Sequence, residues 1–140
     1  MASDSNGNQW YQPTAGLNNV GSYQVAAIPW ATGSISAPEL TEEPLKISFP
    51  SVTNFFIVKN DSTSASKLRV GFSRNGIIDG GSNNYFLLSQ GESFEGNMRI
   101  VDLYLLSDDG IPVDVTVVAG LTGINRSNLA NNWSGSVGVG

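Results

Sequence analysis

Three pairs of carboxylates stand close together in the chain: Glu42-Glu43, Glu92 with Glu95, and Asp108-Asp109. Glycoside hydrolysis uses two acids facing each other across a cleft, about 5 to 9 Å apart, one to donate a proton and one to act as base or nucleophile. Each pair here sits in or beside a run of turn residues, where acidic side chains are ordinary, so they read as solvated turn charge. Hard oxygen donors also gather in Asp79-Gly80-Gly81-Ser82-Asn83-Asn84 and in Asp108-Asp109-Gly110. A calcium loop of the EF-hand type counted from Asp79 needs Glu at its twelfth position. That position is Gln90, so these loops read as turn chemistry. A serine nucleophile without histidine needs a lysine or an N-terminal amine as base. Lys46, Lys59 and Lys67 are the only lysines, and no serine motif surrounds them.

Absences narrow the chemistry further. The 140 residues include no Cys and no His. Disulfides, thiolate metal sites and cysteine nucleophiles are excluded, and the usual general base and commonest transition-metal ligand are missing. The expectation is no enzyme: no catalytic, cofactor-binding or metal-binding residue and no cofactor. The net charge of −5 has the wrong sign for a nucleic-acid binder, which presents a basic face. No stretch approaches the roughly 20 apolar residues of a membrane span. Met1 to Gly7 has neither a basic start nor an apolar run, unlike a signal peptide. Three Asn-x-Ser triplets begin at Asn60, Asn125 and Asn132. They are glycosylation acceptors only in a secretory pathway, and 14 Asn with 18 Ser supply them by chance. Trp30, Tyr85 and Tyr104 are candidates for lining a carbohydrate site, with core packing as the ordinary fate of each.

The elements that must position any of these residues are strands. Charged residues make up only 14% of the chain while Gly, Ser and Asn abound, a loop-rich and β-rich composition. Gly21–Ile28 reads as a first strand ended by Pro29, followed by a loop to Pro38. Leu45, Ile47 and Phe49 alternate with polar residues, as do Leu68, Val70 and Phe72; both are half-buried strands. Val52–Val58 is apolar on both faces and suits a central strand, or one whose second face meets a partner. Asn75-Gly76 is the favoured pair for a tight type I′ turn. Tyr85–Leu88 and Met98–Leu106 are strands, Asp109-Gly110 signals a hairpin, and Val113–Ala119 returns. Seven or eight short strands separated by turns predict an all-β antiparallel sandwich or barrel; jelly roll and immunoglobulin-like sandwich are the main options, and without the Cys–Trp–Cys signature a single jelly roll is preferred. Residues 1–19 form an extended N-terminal arm, 20–124 the sandwich and 125–140 an extended C-terminal tail.

The tails carry the expected contacts. Trp10, Tyr11 and Trp133 are large apolar groups in polar sequence. Ordering a tail costs roughly 1–2 kcal/mol per residue in backbone entropy, and a Trp anchored in a neighbour offsets part of that. Val137 and Val139 alternate with Gly138 and Gly140, as in a strand added to a sheet edge. The candidate interface residues are therefore Trp10, Tyr11, Phe56, Trp133, Val137 and Val139. The competing reading is a tail whose Trp folds back on its own domain.

The runs Leu17–Val25, Leu68–Ser73, Asn84–Leu88 and Val118–Ile124 follow one another in an order that resembles small single jelly-roll virion proteins of icosahedral viruses and bacteriophages. The resemblance spans about residues 17 to 124. It implies a capsid protein at a vertex (penton), a minor capsid or cement subunit, or a fibre-base component, located in the virion. Its partners would be copies of itself, as a pentamer or trimer, and other capsid proteins. The first 19 residues contain Asp4 and no Lys or Arg, which argues against contact with a packaged genome. The alternative expectation is a carbohydrate- or receptor-binding module of a fibre or adhesin.

Overall fold

The computed structural model describes residues 27–129 and 131–140. Eight strands are found there: β1 (Ile28–Ala37), β2 (Leu45–Ser48), β3 (Thr53–Asn60), β4 (Leu68–Gly71), β5 (Tyr85–Leu88), β6 (Ser93–Gly96), β7 (Asp102–Ser107) and β8 (Val113–Leu121). One helical turn, α1 (Arg74–Ile77), lies between β4 and β5, and a 3-10 turn spans Arg126–Leu129. The strands form two four-stranded sheets, ordered β1-β8-β3-β6 and β2-β7-β4-β5. All their pairings are antiparallel. Every connection except β4 to β5 crosses between the sheets. That order is an eight-stranded jelly roll, a sandwich of two interleaved Greek keys.

Strand periodicity builds the core. In β8, Val113, Val115, Val117, Ala119 and Leu121 point inward, and the residues between them point out. In the opposite sheet Leu103 and Leu105 of β7 and Leu68 and Val70 of β4 face them. Aromatic side chains fill the interior: Trp30 meets Phe49 edge to face at 5.0 Å, and Phe56 lies 6.1 Å from Phe72 and 5.9 Å from Phe94. Such contacts add about 0.5–1.5 kcal/mol per pair beyond the area they bury. A smaller cluster, Val52, Val101, Ile124 and Leu129, closes one end.

Several expectations are corrected. The strand expected to stop before Pro29 instead begins at Ile28 and runs through Pro29, opposite Gly120. Among the described strands β1 lies at the edge of its sheet, and an edge tolerates Pro because only one side need be paired. A register shift between Thr32 and Ile35 absorbs the Gly33-Ser34 step that reads as loop. Asn75-Gly76 forms part of α1, not a hairpin turn. Ser73 Oγ caps that turn by accepting from the Gly76 amide at 3.0 Å. The strand from Met98 is shorter than expected and starts at Asp102. The short edge strand β6 escapes pattern reading because it has a single inward aromatic, Phe94, beside Gly96. Asp109-Gly110 does turn the chain, but it leads from one sheet to the other and not into a hairpin. The expectations for residues 1–26, including Trp10, Tyr11 and a strand from Gly21, lie outside the described residues.

Candidate functional site

The starts of β3 and β7 and the ends of β4 and β6 lie at one end of the sandwich, with residues 97–101 and 122–140 beside them. There the C-terminal segment is not an extended tail. It is a chain of turns laid back on its own domain. Polar anchors hold it. The Arg126 guanidinium donates to the carbonyls of Phe49 (2.6 Å) and Val101 (2.8 Å) and pairs with Asp102 at 3.1 Å. Asn132 adopts a left-handed backbone, with φ of 50°. Its side chain is buried and fully used: Oδ1 accepts from the amides of Val101 and Asp102, and Nδ2 donates to the carbonyls of Phe72 and Asp102. Ser73 Oγ donates to the Val139 carbonyl at 2.7 Å. Gly76 is required here, since a Cβ on it would lie 2.5 Å from that same carbonyl oxygen.

Trp133 follows Asn132 and also has positive φ. Its Nε1 donates to the Arg99 carbonyl at 2.7 Å, and the Arg99 guanidinium lies 5.9 Å from its ring centroid. The anchor thus docks on its own chain, as the competing reading holds, and the extended-tail expectation fails. The Val137–Val139 alternation forms no strand either: Gly138 has φ of 93° and the backbone turns. The folded segment nevertheless leaves an apolar groove of about 610 Å³ between itself and the β6–β7 connection. Phe72, Met98, Trp133, Val137 and Val139 line it, together with Asn54. Trp133 is 37% exposed, Met98 38%, and Val137 wholly exposed. Three expected interface residues, Trp133, Val137 and Val139, are brought together here. Phe56 is not among them. It is completely buried in the core and unavailable to a neighbour. The strand is two-sided as expected, but Phe55 and Ile57 face out, one residue away on either side.

Those two residues belong to a second apolar surface, the outer face of the β1-β8-β3-β6 sheet. Ile57 stands opposite Val118, itself 36% exposed, and Ala31 flanks Val118 on β1. The Phe55 ring lies over Gly120, where any Cβ would run into it. The face ends in a polar border where Lys59 pairs with Asp61 at 3.6 Å and the Thr116 hydroxyl donates to Asp61.

The carboxylates serve as struts. Glu43 is exposed and paired through both oxygens with Arg74, whose hydrogen bond holds its pKa below the ordinary glutamate value. Glu92 accepts from the Ser89 amide within its own turn. Asp109 accepts from Ser66 and from the Ile111 amide. Buried Arg69 gathers Asp108 (2.7 Å), Asp79 (3.0 Å) and the Ile77 carbonyl (3.1 Å) around its guanidinium, 4.4 Å from the Tyr85 ring centroid. Burial opposes its charge, but the hydrogen bonds to Asp108 and Asp79 outweigh that and hold its pKa above the ordinary arginine value. Among the described residues no three Asp or Glu side chains are grouped to hold a metal ion.

The aromatics considered for carbohydrate do not converge. Trp30 packs against the core, Tyr85 lies against Arg69, and Tyr104 lines a separate polar cleft with Lys46, Arg74 and Asp102. Of the Asn-x-Ser triplets, Asn60 and Asn132 are buried and hydrogen-bonded, which closes them to modification in the folded state. Among the described residues no helix is long and apolar enough to cross a membrane. A scan of the sequence against protein-family models finds no match, and a search of curated proteins finds none.

Proposed function

We propose that this chain is a capsid structural protein, a vertex, minor or cement subunit that works through its shape and its contacts with copies of itself and with other shell proteins. Jelly rolls serve both as capsid subunits and as lectin domains, so the surfaces must decide between them. One observation carries the reading. On a sandwich whose interior is filled by its own aromatics, the groove turns Met98, Trp133 and Val137 to solvent, and the outer sheet face presents exposed Val118 beside half-buried Ile57. Contiguous apolar surface on a folded domain marks a place where another molecule binds. The acidic balance, with −5 net charge, favours protein neighbours over nucleic acid. Against the lectin alternative, Trp30, Tyr85 and Tyr104 are separated by the fold.

Assembly in this reading is a closed rotational oligomer, because a contact between unlike patches must close into a ring or grow without limit. Quantitative mass spectrometry of virus particles purified from the host that carries the gene tests it. The chain is expected in the particles at a fixed ratio to the major shell protein. Its absence from particles, together with specific binding of the recombinant chain to immobilised glycans, overturns the proposal in favour of the carbohydrate-binding module.

A further inference from the structure

The groove beside Trp133 is large enough for aromatic side chains, and its lining is mostly apolar, with Asn54, Asn97 and Arg99 among it. Among the described residues no acidic side chain lines it, and the Arg99 cation does. Residues 1–26 offer the complementary chemistry: Trp10 and Tyr11 are adjacent, Asp4 is the only charged side chain, and there is no Lys or Arg. Position matters as much. A Cβ placed on Gly120 would strike both the Ala27 Cβ and the Phe55 ring. The N-terminal segment therefore joins the sandwich at the end where Asn54, next to Phe55, borders the groove.

We infer that Trp10 and Tyr11 of one copy dock in the Met98–Trp133–Val137 groove of the neighbouring copy. The inference rests on the assembly reading above and names the site through which it operates. Rotation about a closed symmetry axis keeps equivalent ends of all copies level. An arm leaving one copy thus meets the next copy's groove without crossing the length of a sandwich. The 16 residues from Tyr11 to Ala26 reach roughly 55 Å when extended. A domain of this size is roughly 37 Å across. The arm is long enough to reach an adjacent molecule.

The test uses the full chain carrying Trp10→p-benzoylphenylalanine, mixed as heavy- and light-isotope copies and photolysed. The expected result is heavy–light crosslinks from position 10 to Met98, Trp133 or Val137. Val137 is wholly exposed, so Val137→Asp is expected to leave the unfolding midpoint unchanged and to lower that crosslink yield roughly tenfold. Trp10→Ala is expected to raise the concentration needed for assembly roughly thirtyfold, the scale of an interface anchor. Crosslinks confined to one copy, or a yield unchanged by Val137→Asp, overturn the inference. Oligomers that persist while position 10 crosslinks to another surface overturn the docking and leave the assembly reading standing. A chain that stays monomeric and forms no heavy–light crosslinks overturns both.

Discussion

At the end of the sandwich that carries the 61–67, 89–92 and 108–112 connections, short polar side chains tie loop to loop. Asn60 donates to the carbonyls of Ser66 and Leu88 and accepts from the Ser62 amide, while Asp109 gathers Ser66 and the Ile111 amide. The opposite end is also pinned by a buried asparagine, Asn132, but the segment it pins is the C-terminal one, and that segment brings apolar side chains to the surface with it. The polar end uses its hydrogen-bonding groups on itself. The other end spends the same kind of anchor on holding a groove open to solvent. A buried polar network fixes a unique arrangement; here one network finishes a fold and the other presents a surface.

Breaking the second anchor is expected to have the largest effect. Asn132→Ala strands the Val101 and Asp102 amides, removes donors from the Phe72 and Asp102 carbonyls, and places Ala at a positive φ. A loss of about 3 kcal/mol or more is expected in denaturant unfolding. Tryptic cleavage after Arg126 is expected to accelerate as the segment comes loose. The matched change at the polar end, Asn60→Ala, is expected to cost about 2 to 3 kcal/mol and to leave cleavage after Arg126 unchanged. Equal acceleration by both would erase the distinction between the ends.

A smaller effect sharpens the comparison. Gly76→Ala drives a methyl against the Val139 carbonyl and is expected to cost about 1 to 2 kcal/mol. Part of that loss is expected to appear as a red-shifted, more quenchable Trp133 emission as the groove wall moves. The smallest effect concerns the exposed Glu43–Arg74 pair, which hydrogen-bonds to neither asparagine. The folded pKa of Glu43 is lowered by Arg74, so its contribution to stability is present above the ordinary glutamate value of about 4.3 and fades as pH falls through the lowered folded value. The stability difference between the native chain and Glu43→Gln is expected to be small at pH 7, to vanish on acidification and to shrink in high salt. A difference that grows on acidification would contradict that sign.

How much of this was legible beforehand follows from where the information lies. β8 and β2 were readable because strict alternation names the buried face, and Val113, Val115 and Val117 are buried as their spacing predicts. β3 was readable as a strand but not in its facing. With Phe55, Phe56 and Ile57 all apolar, alternation cannot choose, and the choice falls to the pairing of Phe56 with Ala119. The sandwich class follows from strand count and turn spacing, while the jelly-roll order, including the crossing after Asp109-Gly110, is set by long-range pairing that a turn dipeptide does not encode. The groove was half visible. Trp133 and Val137 stood out as apolar residues in polar sequence, but the partners that fold them back, the Arg99 carbonyl and the Asn132 network, are distant in sequence. A buried Asn in left-handed backbone, placed before a Trp in a Gly-rich run, is the signal that pattern reading passed over.

The claim on which the account stands is that the molecule acts by binding companions. Sedimentation equilibrium of the full chain across a thousandfold range of concentration measures that directly. The account predicts a single closed multiple of the 14.8 kDa chain mass at the upper concentrations, dissociating on dilution and weakened by Val137→Asp. A mass of one chain at every concentration would contradict it.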